Sequence, residues 1–343
     1  MAPSAFEASA PGSALGTGNR PGSDSFSVII CTRDRPEELA RAVASVRASG
    51  EAGRRAEIVV VEEADAPRPL GGVRSVHLPR EGRGFGYARN AGVAVAHGSL
   101  LVFLDDDCEA EAGWLEALTA PLRDDPAVLG AAGAVLVRDC GAVGYAENIL
   151  GFPGGGLRYR HAAGGRTIPT RHLSTCNCAY RAEAVRRAGG FAEDARRGGE
   201  DYLLAERVTA LGPCVYVPDA VVYHRPRGRL GAVLRWFIRR GESEVALLRA
   251  ARRRGEFARF LLRSSWTLRC LVLLAILAWR PALAALLPAA ALAYGAAVLW
   301  RFRFARAYPT HRRAWWVVPV VKATMDLGTE IGRWKAVLGG GRA

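Results

Sequence analysis

The chain has 343 residues, half of them hydrophobic, and its formal net charge at pH 7 is +14. This length is enough for one large domain with an appendage, and this apolar content excludes a chain that is disordered throughout. The strong positive charge is compatible with three classes of partner, which are nucleic acid, an anionic membrane and an anionic substrate.

Strand and helix patterns alternate through the first hundred residues. The opening residues 1–25 are rich in Ala, Gly, Ser and Pro and predict a disordered tail without a signal peptide. Short apolar runs predict strands at Phe26–Cys31, Glu57–Val61, Val73–Leu78 and Leu100–Leu104. Helical spacing predicts helices between them at Glu37–Ala48 and Tyr87–His97. The alternation predicts a doubly wound, mostly parallel α/β sheet.

Three adjacent carboxylates, Asp105, Asp106 and Asp107, directly follow the apolar run Leu100–Leu104. The carboxyl end of a buried parallel strand lies at the edge where open α/β sheets bind ligands. Adjacent like charges repel one another, and a divalent cation offsets them because carboxylate oxygens are hard ligands. The alternative is a solvated acidic turn, but the buried strand in front of the carboxylates favours a metal site.

The seven cysteines include no CxxC pair. They are expected to be reduced thiols that are mostly buried in a cytosolic domain. Cys176 and Cys178 are separated by one residue only, which is not the usual spacing of a zinc site.

Six motifs between Phe26 and Arg229 occur in the order that is typical of one enzyme family. The first three are the strand and turn Ser27–Pro36, the helix Ala88–Gly92 and the run Asp105–Asp107. The fourth has two parts, Asn177–Arg181 and Gly189–Phe191, and the last two are the pair Glu200–Asp201 and the strand Pro218–His224. On these motifs the chain resembles family 2 of the glycosyltransferases, the inverting nucleotide-sugar enzymes with the GT-A fold. The resemblance implies a GT-A catalytic domain at residues 26–229.

The resemblance implies a divalent metal, Mn²⁺ or Mg²⁺, bound at the carboxylate run. Asp107 matches a direct metal ligand, and Asp105 matches a residue that binds the ribose or the metal. His224 is a candidate further ligand because neutral imidazole suits Mn²⁺. Its alternative interpretation is a polar residue that merely follows a strand. A bound metal would stabilise the charge that gathers on a diphosphate leaving group.

The pair Glu200 and Asp201 matches the family's catalytic acids. The resemblance implies that Asp201 is the general base for the acceptor hydroxyl and that Glu200 orients the base or the acceptor. A positioned base of this kind contributes about 10²–10⁴-fold to a rate. The same two residues also suit a plain helix start, since acids are favourable at a helix N-terminus. The two interpretations are compatible with each other.

The resemblance also implies the residues that bind the nucleotide sugar. These are Thr32, Asp34, Glu62, Glu63, Arg89, Asp105 and Asp106. The family usually has an Asp pair where Glu62 and Glu63 stand, and a proline where Cys31 stands, so the nucleobase is left open. Arg89 is interpreted either as a ligand of the diphosphate or as a charge on a helix surface.

The glycine-rich segment Gly144–Thr170 is expected to be a long mobile loop. Long loops in compact domains are usually functional, and binding of the acceptor is the natural hypothesis for this one.

The chain changes character after His224. Residues 230–265 are predicted to be a basic amphipathic helical region, residues 266–302 an apolar helical hairpin, and residues 303–343 a C-terminal amphipathic helix and tail. Basic residues flank the hairpin on both sides, which places both flanks and the catalytic domain at the cytoplasmic face of a membrane. A hairpin that spans the membrane satisfies this charge pattern, and so does a re-entrant or interfacial pair of helices. The alternative to both is a hairpin buried in a soluble domain.

These observations predict transfer of a sugar from a nucleoside-diphosphate donor to a hydroxyl acceptor, with a lipid-linked or cell-envelope glycan precursor as a candidate. One alternative is a polyprenyl-phosphate glycosyltransferase, whose ionised acceptor would need no base. A non-enzymatic alternative is a basic scaffold that binds a membrane or nucleic acid, but the basic region adjoins apolar helices rather than an aromatic binding face. We therefore expect a membrane partner and no nucleic acid.

Overall fold

The computed structural model describes residues 25–68, 70–195, 198–250 and 265–339. Nine strands within these ranges form one sheet. In chain order they are β1 (Phe26–Thr32), β2 (Glu57–Glu63), β3 (Arg74–Leu78), β4 (Leu100–Leu104), β5 (Cys108–Ala110), β6 (Gly130–Leu136), β7 (Ile168–Pro169), β8 (Asn177–Arg181) and β9 (Cys214–His224). The predicted tail up to residue 24, and residues 251–264 of the predicted basic helical region, lie outside the described residues.

Helices cover both faces of this sheet and continue after it. They are α1 (Pro36–Ala48), α2 (Glu51–Arg55), α3 (Phe85–Val95), α4 (Trp114–Asp124), α5 (Ala142–Ile149), α6 (Gly156–Ala163), α7 (Ala182–Arg187), α8 (Glu200–Leu211), α9 (Leu230–Ala250), α10 (Trp266–Trp279), α11 (Leu287–Arg301) and α12 (Val318–Leu338). Short 3₁₀ helices lie at Pro281–Leu286, Arg303–Ala307 and Arg312–Val317.

The strand order is β3-β2-β1-β4-β8-β6-β9-β5, and β7 pairs with β9. The neighbours β3, β2, β1 and β4 run parallel, as do β6 and β9, whereas β5, β7 and β8 pair antiparallel with their neighbours. The predicted α/β sheet is confirmed, and its four predicted strands are β1 to β4. Ile29 of β1 lies opposite Phe103 of β4, so the two strands end at the same edge of the sheet.

The sheet is buried on both faces, as its continuous apolar strands predict. Successive side chains of β1 alternate between the two sides. Val28 and Ile30 pack with Trp114 of α4 on one side. Ile29 packs with Phe103 on the other side, where α3 and α8 also lie. The strand ends, with their polar residues, are therefore the exposed edge of a three-layer sandwich.

The expectation of a long mobile loop at Gly144–Thr170 is wrong, because this segment contains α6, β7 and most of α5. Two of its glycines stand at the ends of α6. Gly155, at φ 92°, precedes α6, and Gly164, at φ 58°, ends it in the left-handed conformation that glycine adopts without steric cost. Leu157 of α6 is buried in the core. A glycine count alone does not distinguish such end positions from a flexible loop.

The C-terminal helices α9 and α12 pack at very short range. A Cβ atom on Gly332 of α12 would collide with the carbonyl oxygen of Ile238 in α9, so glycine is required at this crossing. In contrast, α10 and α11 are largely exposed. The segment Pro281–Arg301 has 21 residues, a mean hydropathy of 2.0 and 6% of its residues buried, and it is long enough to cross a membrane. The hairpin is thus not buried in the described part of the chain.

Candidate functional site

The carboxylate run lies at the end of β4, beside the end of β1. The hydroxyl of Thr32, the last residue of β1, donates a hydrogen bond of 2.7 Å to Oδ2 of Asp106. Burial raises the pKa of Asp106 to about 6, against the opposing effect of this hydrogen bond. The parallel pairing of β1 and β4 therefore brings together two residues that lie 74 positions apart in the sequence.

His224 joins the carboxylates from the other half of the sheet. Cys108 of β5 lies opposite His224 of β9 in their antiparallel pairing, and Nε2 of His224 is 3.3 Å from Oδ1 of Asp107. The backbone N–H of Arg225 donates to the carbonyl oxygen of Asp107 at 2.9 Å. Burial lowers the pKa of His224 despite the opposing charge of Asp107, so its imidazole is neutral near pH 7.

Arg89 connects the carboxylate run to the start of α8. Its side chain is buried, and Nη2 donates to Oδ1 of Asp105 at 3.3 Å while Nη1 pairs with Oε1 of Glu200. Burial raises the pKa of Glu200, and the Arg89 guanidinium opposes this rise. Arg89 is therefore not the helix-surface charge that one interpretation of the sequence offered. Gly92 of the same helix allows α3 to pack closely against β1, since a Cβ at Gly92 would lie 2.7 Å from Cγ2 of Ile29.

Asp201 follows Glu200 in the first turn of α8 and is partly buried. Its Oδ1 accepts a hydrogen bond of 2.8 Å from the backbone N–H of Tyr202. No ion pair to Asp201 is formed within the described ranges. Of the two adjacent acids, Glu200 is thus buried and paired with Arg89 through Oε1, whereas Asp201 is more exposed and has no ion pair with the described residues.

The three predicted metal ligands are not all directed to one point. Asp107 and His224 converge, but Asp105 turns towards Arg89 and also accepts a hydrogen bond of 2.9 Å from the thiol of Cys176. Among the residues that the structure describes, no group of three His, Cys, Asp or Glu side chains is placed to hold a metal ion. The described part of the chain therefore offers two converging ligands, Asp107 and His224, rather than three.

A second cluster of acids lies around the ends of β1 and β2 and contains Asp34, Glu62 and Glu63. Each of the three pairs with an arginine, and for Glu63 this is Arg33. Arg80 Nη1 donates to Asp34 at 2.7 Å, and this contact lowers the pKa of Asp34. Arg68 Nε lies 3.5 Å from Oε1 of Glu62, which is buried. Glu63 accepts a hydrogen bond of 3.2 Å from the backbone N–H of Gly82.

Two residues that contact the carboxylate run were not assigned to the site from the sequence. Nη1 of Arg35 is 3.1 Å from Oδ1 of Asp106 and 3.0 Å from Oδ2 of Asp107. The thiol of Cys176 contacts Asp105. Arg35 stands directly before the proline that opens α1, at the end of a strand that the sequence does predict, and that position was the available signal for it.

A cavity of about 250 Å³ opens beside this network. Its lining contains Asp106, Asp107 and His224, and also Arg41 and Arg138, which both pair with Glu109 of the same lining. Carboxylates and an imidazole in one cavity suit a cation.

Part of the chain matches a known protein family. Residues 27–189 match the family model described as glycosyl transferase family 2. A glucosyl-dolichyl phosphate glucuronosyltransferase of Haloferax volcanii is 31% identical over 120 residues, which are 32% of this chain and 38% of that protein. A pre-mycofactocin glycosyltransferase of Mycobacterium tuberculosis is 29% identical over 211 residues, which are 59% of this chain and 43% of that protein. The chain thus spans less than half the length of either relative.

Among solved structures, a mannosyltransferase of Pyrobaculum calidifontis in complex with GDP-Man and Mn²⁺ is similar in fold. The TM-score is 0.55 at 20% identity, and the similarity covers 93% of this chain and 88% of that chain. The mixed, partly parallel sheet with its C-terminal helices is therefore a GT-A type fold. The match to the family model and the similarity to two glycosyltransferases favour an enzyme over the alternative of a non-enzymatic scaffold. Residues 27–189 of the chain therefore form a glycosyl transferase family 2 domain.

Proposed function

We propose that this chain transfers a sugar from a nucleoside-diphosphate donor to a hydroxyl group of an acceptor, with inversion at the anomeric carbon. One observation carries the proposal. Buried Arg89 contacts both Asp105, at the start of the carboxylate run, and Glu200, the neighbour of Asp201. The groups that would face a leaving diphosphate and the group that would deprotonate an acceptor thus belong to one connected network.

Asp107 and His224 fit a divalent cation. A carboxylate oxygen and a neutral imidazole nitrogen converge to 3.3 Å, and both atom types suit Mn²⁺. Two protein ligands are enough where substrate phosphates complete the coordination, as is usual for Mg²⁺ sites. When bound, the cation supplies positive charge to the diphosphate leaving group. The Mn²⁺ and GDP-Man in the name of the similar Pyrobaculum structure support this assignment.

Asp201 is assigned as the general base. It accepts the proton of the acceptor hydroxyl as the oxygen attacks the anomeric carbon from the face opposite the diphosphate, so a single displacement inverts that carbon. Glu200 does not compete for this role, because its side chain is buried and its Oε1 is paired with Arg89. Arg89 instead fixes the start of α8 and hence the place of Asp201.

The nucleotide is assigned to the two clusters at the ends of β1, β2 and β4. Thr32 and Asp106, which are already hydrogen-bonded to each other, would border the ribose. Asp34, Glu62 and Glu63 would border the base, and their arginine partners add positive charge near an anionic donor. This arrangement is compatible with more than one nucleobase.

The acceptor is assigned to a lipid-linked saccharide or an envelope glycan precursor at a membrane. The exposed apolar helices α10 and α11 would insert into the bilayer, and the segment Pro281–Arg301 is long enough to span it. Arg301 ends this segment, and Arg303 and Arg306 follow it. These arginines favour a cytoplasmic position for the catalytic domain.

A second candidate is transfer to the phosphate of a polyprenyl carrier. The name of the Haloferax relative, which contains dolichyl phosphate, favours a lipid phosphate somewhere in the reaction. A phosphate oxygen is already ionised, so this reaction would need no base. Asp201 therefore distinguishes the two candidates.

The test is donor hydrolysis by the detergent-purified chain with UDP-, GDP- and dTDP-sugars and Mn²⁺ or Mg²⁺. We expect slow release of one nucleoside diphosphate that stops with a chelator and in Asp107→Asn. Asp124→Asn is the matched control, because Asp124 is an exposed carboxylate at the end of α4. If no nucleotide is released, calorimetry with UDP and GDP plus metal follows. Absence of binding there would contradict the proposal.

A further inference from the structure

Each carboxylate of the run Asp105–Asp107 has a positively charged partner in the protein itself. Arg89 serves Asp105, and Arg35 serves both Asp106 and Asp107 through a single nitrogen, Nη1. The two arginines differ in exposure. The Arg89 side chain is 8% exposed and held by two partners on different elements, whereas that of Arg35 is 51% exposed. Arg35 is therefore the partner that can leave.

The position of Arg35 follows from the end of β1. Asp34 adopts a left-handed conformation, at φ 58°, and Arg35 follows it directly before α1. Because β1 and β4 end at the same edge, this residue stands next to the carboxylates that follow β4. Its guanidinium lies 3.0 Å from the same Asp107 carboxylate that His224 contacts.

A divalent cation on Asp107 and a guanidinium on the same carboxylate repel each other. At a few ångströms this repulsion is substantial even in a partly solvated site. From this geometry, and resting on the proposed function, we propose that Arg35 is a resident counter-ion that competes with the divalent cation for Asp106 and Asp107. The free protein consequently binds metal more weakly than its carboxylates alone would.

The competition has a consequence for the order of events. A donor diphosphate offers Arg35 a new anionic partner, since guanidinium groups pair well with phosphate oxygens. Release of Arg35 to the diphosphate frees Asp107 for the cation. Metal and diphosphate therefore favour each other's binding, and part of this coupling passes through Arg35.

The test is titration of the detergent-purified chain with Mn²⁺ alone. The electron paramagnetic resonance signal of free Mn²⁺ measures how much of the metal is unbound. We expect Arg35→Gln to lower the Kd for Mn²⁺ by about tenfold, since a charged hydrogen bond has a strength of this order. Arg35→Lys, which keeps the charge, is expected to stay near the wild-type value. The double variant Arg35→Gln/Asp107→Asn is expected to lose the gain, which locates it at this site.

Arg41→Gln is the matched control. Arg41 lines the same cavity with a similarly exposed guanidinium, 48% against 51%, but pairs with Glu38 and Glu109 rather than with the carboxylate run. We expect its Kd for Mn²⁺ to change by less than about twofold, because exposed charges are largely screened. A second titration, with UDP or GDP present and corrected for the Mn²⁺–nucleotide complex, measures the coupling. The gain in Mn²⁺ affinity on adding nucleotide should be smaller in Arg35→Gln than in wild type.

Equal or weaker Mn²⁺ binding by Arg35→Gln would overturn the competition while leaving the proposed function intact. Failure of wild type and Arg35→Gln to bind Mn²⁺, even with nucleotide present, would overturn the metal assignment in the proposed function and this inference with it. The two failures are thus distinguishable.

Discussion

Cys108 and His224 lie opposite each other in the antiparallel pairing of β5 and β9, and this register holds the His224 imidazole 3.3 Å from Asp107. A three-residue strand thus links the carboxylate run to the far side of the sheet. The imidazole is buried, and its Nδ1 has no hydrogen-bond partner in the described part of the chain. A neutral ring with Nε2 turned to a carboxylate is suited to ligate a cation.

Asp107→Asn and His224→Ala are both expected to weaken nucleotide binding that depends on Mn²⁺. The effect of Asp107→Asn should be the larger, about 100-fold or more, because it removes a charge as well as a ligand. Calorimetry of UDP and GDP with and without Mn²⁺ measures this. Metal-dependent binding that survives both substitutions would contradict the assignment of Asp107 and His224.

Asp201→Asn is expected to lower the rate of sugar transfer by about 10²–10⁴-fold, since the amide cannot take up the proton of the acceptor hydroxyl. The Kd for the nucleotide should stay unchanged, because Asp201 is proposed to face the acceptor and not the nucleotide. Initial rates and nucleotide calorimetry on the same preparation separate the two effects. Asp194→Asn, at an exposed position shortly before α8, serves as the control. Full activity of Asp201→Asn would favour a phosphate acceptor.

Arg89→Met is expected to lower the free energy of unfolding by about 3–5 kcal/mol, because it leaves buried Glu200 and the Asp105 carboxylate without their partner. Denaturant unfolding of the detergent-purified chain measures the change. Arg83→Met is the matched control, since Arg83 pairs with Glu193 at the surface, where an ion pair contributes about 1 kcal/mol or less. Equal effects of the two substitutions would show that the Arg89 contacts do not stabilise the fold.

Glu330 anchors the start of α10. Its Oε1 accepts hydrogen bonds from the hydroxyl of Ser265 at 2.5 Å, the backbone N–H of Thr267 at 3.0 Å and Nε1 of Trp334 at 2.9 Å. Burial raises the pKa of Glu330, but these hydrogen bonds outweigh burial and lower it from 4.5 to about 2. The folded state therefore favours the ionised form, and the resulting stability is present above pH 4.5 and is lost as the pH falls towards 2.

Glu330→Gln is accordingly expected to lower the Tm at pH 7, and its difference from wild type should shrink as the pH falls below about 4.5. Thermal unfolding at a series of pH values measures this difference. Glu183→Gln, at an exposed position in the first turn of α7, should show no such pH-dependent difference. A constant difference at all pH values would show that ionisation of Glu330 is not the cause.

The local features of the fold were predictable from the sequence because they depend on neighbouring residues. The apolar run of β4 ends where it was predicted to end, directly before Asp105. In contrast, α5 and α6 were missed, since the glycines at the two ends of α6, Gly155 and Gly164, resemble a glycine-rich loop. Periodicity does not show which glycines end a helix and which lie in flexible chain.

The contacts of the site were less predictable because they join distant parts of the chain. The contact between Arg89 and Glu200 spans 111 positions, and that between Cys176 and Asp105 spans 71. Motif matching indicated Arg89 and Glu200 separately but not that they pair. It covered Arg35, within Ser27–Pro36, but gave no role to Arg35 or Cys176, because their contacts depend on what the sheet brings next to them.

The tight crossing of α9 and α12 at Gly332 has a geometric consequence for the acceptor. Both helices contribute to the same hydrophobic core as the sheet, and α12 holds the start of the apolar hairpin through Glu330. With the hairpin in a bilayer as proposed, Asp201 would stand at a set height above the lipid headgroups. The enzyme would then measure its acceptors by the distance from the lipid anchor to the reacting hydroxyl and reject those whose glycan is too short or too long.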